Sequence, residues 1–309
     1  EQLLLIILVY LLVSFFIALP FYLSNYQVTF LNAMFEATSG TTGTGFSIFK
    51  NIKYLDPTLI LWRSSSQWIG GLYFLFFLIL IFSNKQFNYK MNDLTHSGDG
   101  RINSESNIKD LLSKIFIFYS LLSFIIFLLL NISDVRMFNS LNLSMSLVSA
   151  GGFIPTNSLS KIIYSNPQKI IFIFSLLFSM LNFFLILNIF EKKIIIREHK
   201  EDFYLLFISF IFILLVYLNN FSGLNIIISV LSSLSNSGLA LIKSDNNLSL
   251  YFILLTALGG SLISNTSGIK FTRVYILLKT AYSEIIKLIS PNSITNKNLF
   301  NSEKKITDE

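Results

Sequence analysis

Residues 30–46 read Phe30-Leu31-Asn32-Ala33-Met34-Phe35-Glu36-Ala37-Thr38-Ser39-Gly40-Thr41-Thr42-Gly43-Thr44-Gly45-Phe46, a half-polar stretch between the long apolar runs Leu3–Leu23 and Leu59–Phe82. A bilayer's hydrocarbon core of roughly 30 Å needs about 20 mainly apolar residues in helical form. The two flanking runs meet that demand, and the stretch between them does not. A helix that stops midway through a membrane leaves backbone groups unpaired, which is tolerated only where the backbone is buried in protein or lines a watery cavity. The stretch therefore reads as a short re-entrant helix that ends in a loop of small residues.

The same order recurs twice. Phe138–Gly152 and Leu224–Gly238 each follow one apolar segment and precede another, the further long segments being Ile115–Ile132, Ile170–Phe190 and Phe203–Leu218. Each short segment ends in small residues closed by a glycine and then a bulky apolar residue. The three runs are Thr42-Gly43-Thr44-Gly45-Phe46, Ser149-Ala150-Gly151-Gly152-Phe153 and Ser235-Asn236-Ser237-Gly238-Leu239. Repetition is weak in identity and clear in the order of elements. After the third run, Leu248–Leu258 is too short to span and meets Gly259-Gly260, while Val274–Ile289 carries Lys279, Glu284 and Lys287. These two read as halves of one interrupted helix.

Composition agrees with lipid as the surrounding medium. The chain is 53% hydrophobic with a mean hydropathy of +0.64, and its 13% charged residues are about half the share of a soluble domain. The absence of cysteine rules out disulfides and thiolate metal sites. Leu3–Leu23 lacks the basic flank and small-residue cleavage site of a signal peptide and reads as a span. The first residue is Glu1, as expected of an excerpt from a longer protein. If the short segments enter from outside, the linkers Ser83–Lys114 and Glu191–Asp202 and everything from Lys270 onward lie in the cytoplasm. That places sixteen of the 23 Lys and Arg inside and seven elsewhere, as the positive-inside rule requires. The distribution explains the net charge of +6 without nucleic acid.

Small side chains let backbone carbonyls converge, and a terminal glycine turns a carbonyl inward without a Cβ penalty. A ring of such carbonyls can replace the water shell of a bare cation. The short helices aim their partly negative C-termini at the loops, which favours a cation over an anion. The bulky residue after each glycine is expected to pack behind its loop. Arg63 and Gln67, one turn apart, either touch the loops or, in the case of Arg63, snorkel to the interface. Glu36 on the first short helix needs a buried partner or the outer vestibule. Trp62, Trp68 and Lys270 read as interfacial anchors. Neither His96 nor His199 has a metal-spaced neighbour, and HExxH, GxSxG and GxxxxGK are all missing, so no enzyme reading survives.

Phe35-Glu36-Ala37-Thr38-Ser39-Gly40 leading into Thr42–Phe46, with Leu61-Trp62-Arg63-Ser64 and Gln67-Trp68-Ile69-Gly70-Gly71, resembles the first repeat of the Trk/Ktr/HKT potassium transporter superfamily, closest to the bacterial Trk-type membrane subunit. Gly259-Gly260-Ser261 through Gly268-Ile269-Lys270, with Arg273 beyond, is similar to the family's broken helix in the third repeat. The resemblance implies an all-α membrane protein of helix–pore-loop–helix repeats around a potassium-channel-like pore. Three repeats are expected here, where the family has four. It implies an ion-binding selectivity filter at Thr42, Gly43, Thr44, Gly45, Ser149, Ala150, Gly151, Gly152, Ser235, Asn236, Ser237 and Gly238. Glu36, Arg63 and Gln67 would support the filter or line its vestibule. Gly259, Gly260, Ser261, Ser264, Asn265, Thr266, Ser267 and Gly268 would form an obstructing, movable gating loop.

The expected division is a first repeat at 1–83, a cytoplasmic linker at 84–114, a second repeat at 115–190, and a second linker at 191–202. A third repeat follows at 203–290, its second helix broken at 259–269, and a polar tail at 291–309. The expected function is potassium uptake across the bacterial inner membrane by a multi-pass protein without a cofactor, potassium being the transported ion. A homodimer and a cytoplasmic nucleotide-binding regulatory subunit are the implied partners. The alternatives are sodium or non-selective cation passage, and a truncated, non-conducting structural or regulatory subunit.

Overall fold

The computed structural model describes residues 2–82, 105–183, 185, 200–218, 223–241 and 249–290. Much of both basic linkers, with His96 and His199, Lys243 and the tail from Pro291, lies outside the described residues. Among the described residues the chain is entirely helical, apart from turns and loops.

Three long–short–long units follow one another. The first comprises α1 (Gln2–Tyr22), α2 (Phe30–Thr41) and α3 (Pro57–Phe82); the second α4 (Glu105–Ile132), α5 (Met137–Val148) and α6 (Asn166–Met180). The third comprises α7 (Lys200–Leu218), α8 (Leu224–Leu234) and the pair α9 (Ser249–Leu258) and α10 (Phe271–Ile289). The short helices are 12, 12 and 11 residues long, too short to span. Two of the long ones, Leu4–Tyr22 and Lys109–Ile132, pass a test of length and apolarity for crossing a bilayer. Their outer faces carry exposed Leu4, Leu8, Phe16, Ile117 and Phe124, side chains that water would disfavour.

Each short helix packs between the long helices of its own unit, and the second and third also pack against the unit before. Thus α2 sits on α1 and α3, α5 on α4, α6 and α3, and α8 on α7, α9 and α6. The units therefore succeed one another around a common region. One core runs through the second and third units and into α3, built on residues such as Leu75, Tyr119, Leu143, Phe172, Leu205, Leu231 and Leu255. A smaller cluster of Ile17, Ala18, Phe21, Ala33, Ala37 and Leu59 closes the first unit.

Close approach is possible because α3 carries Gly70-Gly71 where two short helices end on it. A Cβ on Gly70 would overlap the backbone of Thr41 at the end of α2. A Cβ on Gly71 would lie 2.8 Å from the Tyr119 hydroxyl and 2.9 Å from Cβ of Ser149, just past the end of α5.

The second unit departs from the reading of its last long segment as one helix over 170–190. Helix α6 starts earlier, at a capping box in which Gln168 accepts from the amide of Ser165, and it ends at Met180. Its end is imposed from outside. The amides of Asn182 and Phe183, which would continue the helix by bonding to Phe178 and Ser179, donate instead to Asp202 Oδ1 (2.9 Å) and to the Ile263 carbonyl (2.8 Å). The expected interruption in the third unit is present, with residues 259–270 non-helical between α9 and α10.

Candidate functional site

The three short helices end in one and the same backbone motif. Thr42, Ser149 and Ser235 cap them with φ/ψ of −82/−6, −82/−5 and −74/−8 degrees. The next residue in each, Gly43, Ala150 or Asn236, has a positive φ of 67, 54 or 57 degrees, and so does the closing glycine, Gly45, Gly152 or Gly238, at 79, 84 or 65 degrees. The amides of Gly43, Ala150 and Asn236 return to Gly40, Leu147 and Ser233, and those of Thr44, Gly151 and Ser237 to Ser39, Ser146 and Ser232. This is the Schellman closure of a helix C-terminus, made three times. Ala150 and Asn236 adopt a conformation that side chains disfavour, and the shared hydrogen bonds hold them there.

The loops meet. A Cβ on Gly45 would lie 2.6 Å from the Gly151 carbonyl oxygen, and one on Gly152 would overlap the Ser237 carbonyl and sit 3.8 Å from Cα of Gly45. The second loop is thus in contact with both others. Its residues Ser149, Ala150 and Gly151 are buried, whereas Thr42, Thr44 and Gly238 are exposed. Phe153 and Leu239 are buried behind their loops as expected, but Phe46 is exposed at 69%. In the first loop the turn is held instead by polar contacts, beginning with the Ser39 hydroxyl donating to the Phe46 carbonyl.

Glu36 and Arg63 lie behind the first loop as a fully buried pair, with Nε to Oε1 at 2.7 Å. The carboxylate also accepts from the Ser47 hydroxyl (2.9 Å) and from the amide of Ile48 (2.8 Å), so it grips the loop segment that leaves Gly45. Arg63 does not extend to an interface. Its guanidinium lies 4.2 Å from the centre of the Phe153 ring, where a cation–π contact links the first unit to the second loop. One turn on, Gln67 spans the same gap. Its amide donates to the Gly151 carbonyl, and its oxygen accepts from the amide of Phe153 at 3.1 Å.

Both tryptophans make inter-helix contacts. Trp62 donates to the Ile17 carbonyl on α1 (3.0 Å), and Trp68 to the Ser123 hydroxyl on α4 (2.8 Å). Their indole donors are taken by protein, which fixes the rings between helices.

The 259–270 segment is bound on several sides. Ser261 donates its amide to the Met180 carbonyl (2.9 Å) beside the Phe183–Ile263 bond, so that segment and the broken end of α6 pair like two short strands. Glu201 Oε1 accepts from the amide of Leu262 at 2.9 Å. The Asn265 side chain donates to the Val148 carbonyl at the end of α5 (2.9 Å). Asn236, in the third loop, donates to the carbonyls of Thr256 and Ser267, both at 3.1 Å. The segment is therefore in direct contact with the third loop and with the end of α5. Lys270 is not an anchor at an interface. It is 7% exposed, its ammonium turned into the segment itself. Glu201, Asp202 and Asn182 were not singled out from sequence, and the only signal was a pair of carboxylates heading an apolar helix.

The sequence matches the model of the family described as "TrkH: Cation transport protein" over residues 3–247. It is 28% identical over 295 residues to an uncharacterized cation transporter of Methanocaldococcus jannaschii, covering 93% of this chain and 60% of that protein. It is 27% identical over 332 residues to the Trk system potassium uptake protein TrkG of Escherichia coli, covering 98% of this chain and 66% of the relative. The fold matches the crystal structure of the potassium transporter TrkH from Vibrio parahaemolyticus with a TM-score of 0.83 at 18% identity, over 98% of this chain and 66% of that one. The chain thus spans a little under two thirds of the length of these relatives. A family match across most of the chain and an all-helical fold of the same kind lead to one conclusion: this is a membrane protein of the TrkH cation transport family.

Proposed function

We propose that the chain carries potassium ions across the bacterial inner membrane, past oxygens presented by the Thr42–Gly45, Ser149–Gly152 and Ser235–Gly238 loops. The observation that carries the reading is the threefold recurrence of one helix-ending motif whose loops touch one another. Short helices ending there direct three partly negative termini at one place, favourable for a cation in transit. No bond is made or broken in such a passage, and a negative-inside potential contributes about 2.3 kcal/mol per charge per 100 mV. Glu36, Arg63 and Gln67 act by fixing loop shape. Segment 259–268 lies against the Val148 end of α5 and the third loop, and serves as the gate. A fourth segment of the same kind would close the arc between the exposed sides of the first and third loops. Pairing into a homodimer and control by a cytoplasmic nucleotide-binding subunit belong to the same proposal.

Expression in a bacterium lacking its own potassium uptake tests it. Rubidium entry at low external potassium is expected, with an equal concentration of sodium a poor competitor. Gly45→Ser is expected to lower that preference, because the residue has a positive φ and its Cβ would press on the Gly151 carbonyl. Entry that sodium blocks equally would replace the proposal by non-selective cation passage. No entry at all would leave the non-conducting reading.

A further inference from the structure

The Lys270 ammonium lies in a cage made wholly by the segment that precedes it. Nζ donates to the Ser264 carbonyl (3.0 Å), the Ser264 hydroxyl (3.2 Å) and the Thr266 hydroxyl (3.3 Å), and most closely to the Thr266 carbonyl. The two hydroxyls are aligned as acceptors. The amide of Gly260 donates to Thr266 Oγ1 at 3.1 Å, Thr266 Oγ1 and Ser264 Oγ are 2.8 Å apart, and Ser264 Oγ donates to the Ser261 carbonyl at 2.7 Å. With the protons running in that order, each hydroxyl keeps one lone pair for the incoming cation. The lysine reaches the cage from a backbone with φ of 75 degrees, a conformation that residues with a side chain rarely adopt. A Phe74 ring lies 5.8 Å from the nitrogen.

We infer that this cage is a monovalent-cation site, filled by the protein's own tethered cation and able to take a potassium-sized ion when the lysine is absent. Ammonium and bare potassium are close in size, and both are satisfied by neutral oxygens at about 3 Å, as in carbonyl-lined filters. No carboxylate oxygen stands among the four ligands, which sets the cage apart from calcium and magnesium sites, and Glu201 acts on the ammonium through space and not as a ligand. The binding claim stands on the cage alone. Its consequence rests on the translocation reading above: an ion arriving from the loops competes with Lys270 for the oxygens that shape the gate, so ion occupancy biases the gate's position.

The test is made by binding on the purified full chain, without flux. Lys270→Gly suits it, since glycine adopts the local backbone freely and leaves the cage open. The variant is expected to bind one more rubidium ion per chain than the wild type at equilibrium. Its melting temperature is expected to be several degrees higher in potassium chloride than in choline chloride, by more than in the wild type. Adding Ser264→Ala and Thr266→Val removes the two side-chain ligands and is expected to abolish both gains. Equal rubidium stoichiometry in wild type and Lys270→Gly overturns the inference. So does failure of both Lys270→Gly and Lys270→Asn to fold in potassium, because a filled cage replaces the lysine's contacts. Extra-ion binding by Lys270→Gly together with a wild-type chain that conducts nothing would refute the transport proposal while leaving the site intact.

Discussion

Gln67 shows how much of the arrangement rests on single side chains. Its amide is fully buried and completes two hydrogen bonds to the second loop from a helix of the first unit. Replacement by leucine keeps the bulk and strands the Phe153 amide and the Gly151 carbonyl. A buried pair left without partners costs about 1–3 kcal/mol per group. Gln67→Leu is therefore expected to unfold at lower temperature and to discriminate potassium from sodium less well, read by thermal melting and competition flux. Unchanged selectivity in a folded variant would remove Gln67 from the loop-shaping set. The Glu36–Arg63 pair was readable in the sequence only as two costly charges in an apolar context. That they answer each other is tertiary information, set by a separation of 27 residues. Phe46 went the other way, since a bulky residue after glycine says nothing about which side of its loop is solvent-facing.

At the level of elements, Gly70 and Gly71 make α3 the surface on which two short helices end. Gly70→Ala is expected to destabilise by about 1–3 kcal/mol, the range for forcing bulk into a packed contact. Gly71→Ala is expected to cost less, because the atoms its Cβ meets lie at 2.8–3.1 Å, against 2.0–2.6 Å at Gly70. Comparative melting of the two variants checks the order. The three short helices, their loops and the interrupted third unit were legible because each leaves a local mark: insufficient length, small residues, a double glycine. The break after Met180 left none. No glycine or proline stands there, and the helix yields because Asp202 and Ile263 claim its next two amides. Lys270 misled for a related reason. A lysine beside a glycine-rich turn usually faces water, and only the placement of Ser264 and Thr266 gives its charge somewhere to go.

For the molecule as a whole, orientation follows from the charge distribution and can be tested directly, because the chain has no native cysteine. A membrane-impermeant maleimide on intact cells is expected to label Lys53→Cys, in the turn beyond the first loop. Ser290→Cys, past the end of α10, is expected to react only after permeabilisation. The reverse pattern would invert the topology. The seating of α5 on α3 and of α8 on α6 has a further consequence, in time. Each short helix finds part of its berth on a helix that the ribosome has already delivered. Assembly can therefore proceed in step with synthesis, every new unit docking onto a finished predecessor. A defect in α3 would be inherited by everything made after it, whereas one in α10 would spare what came before.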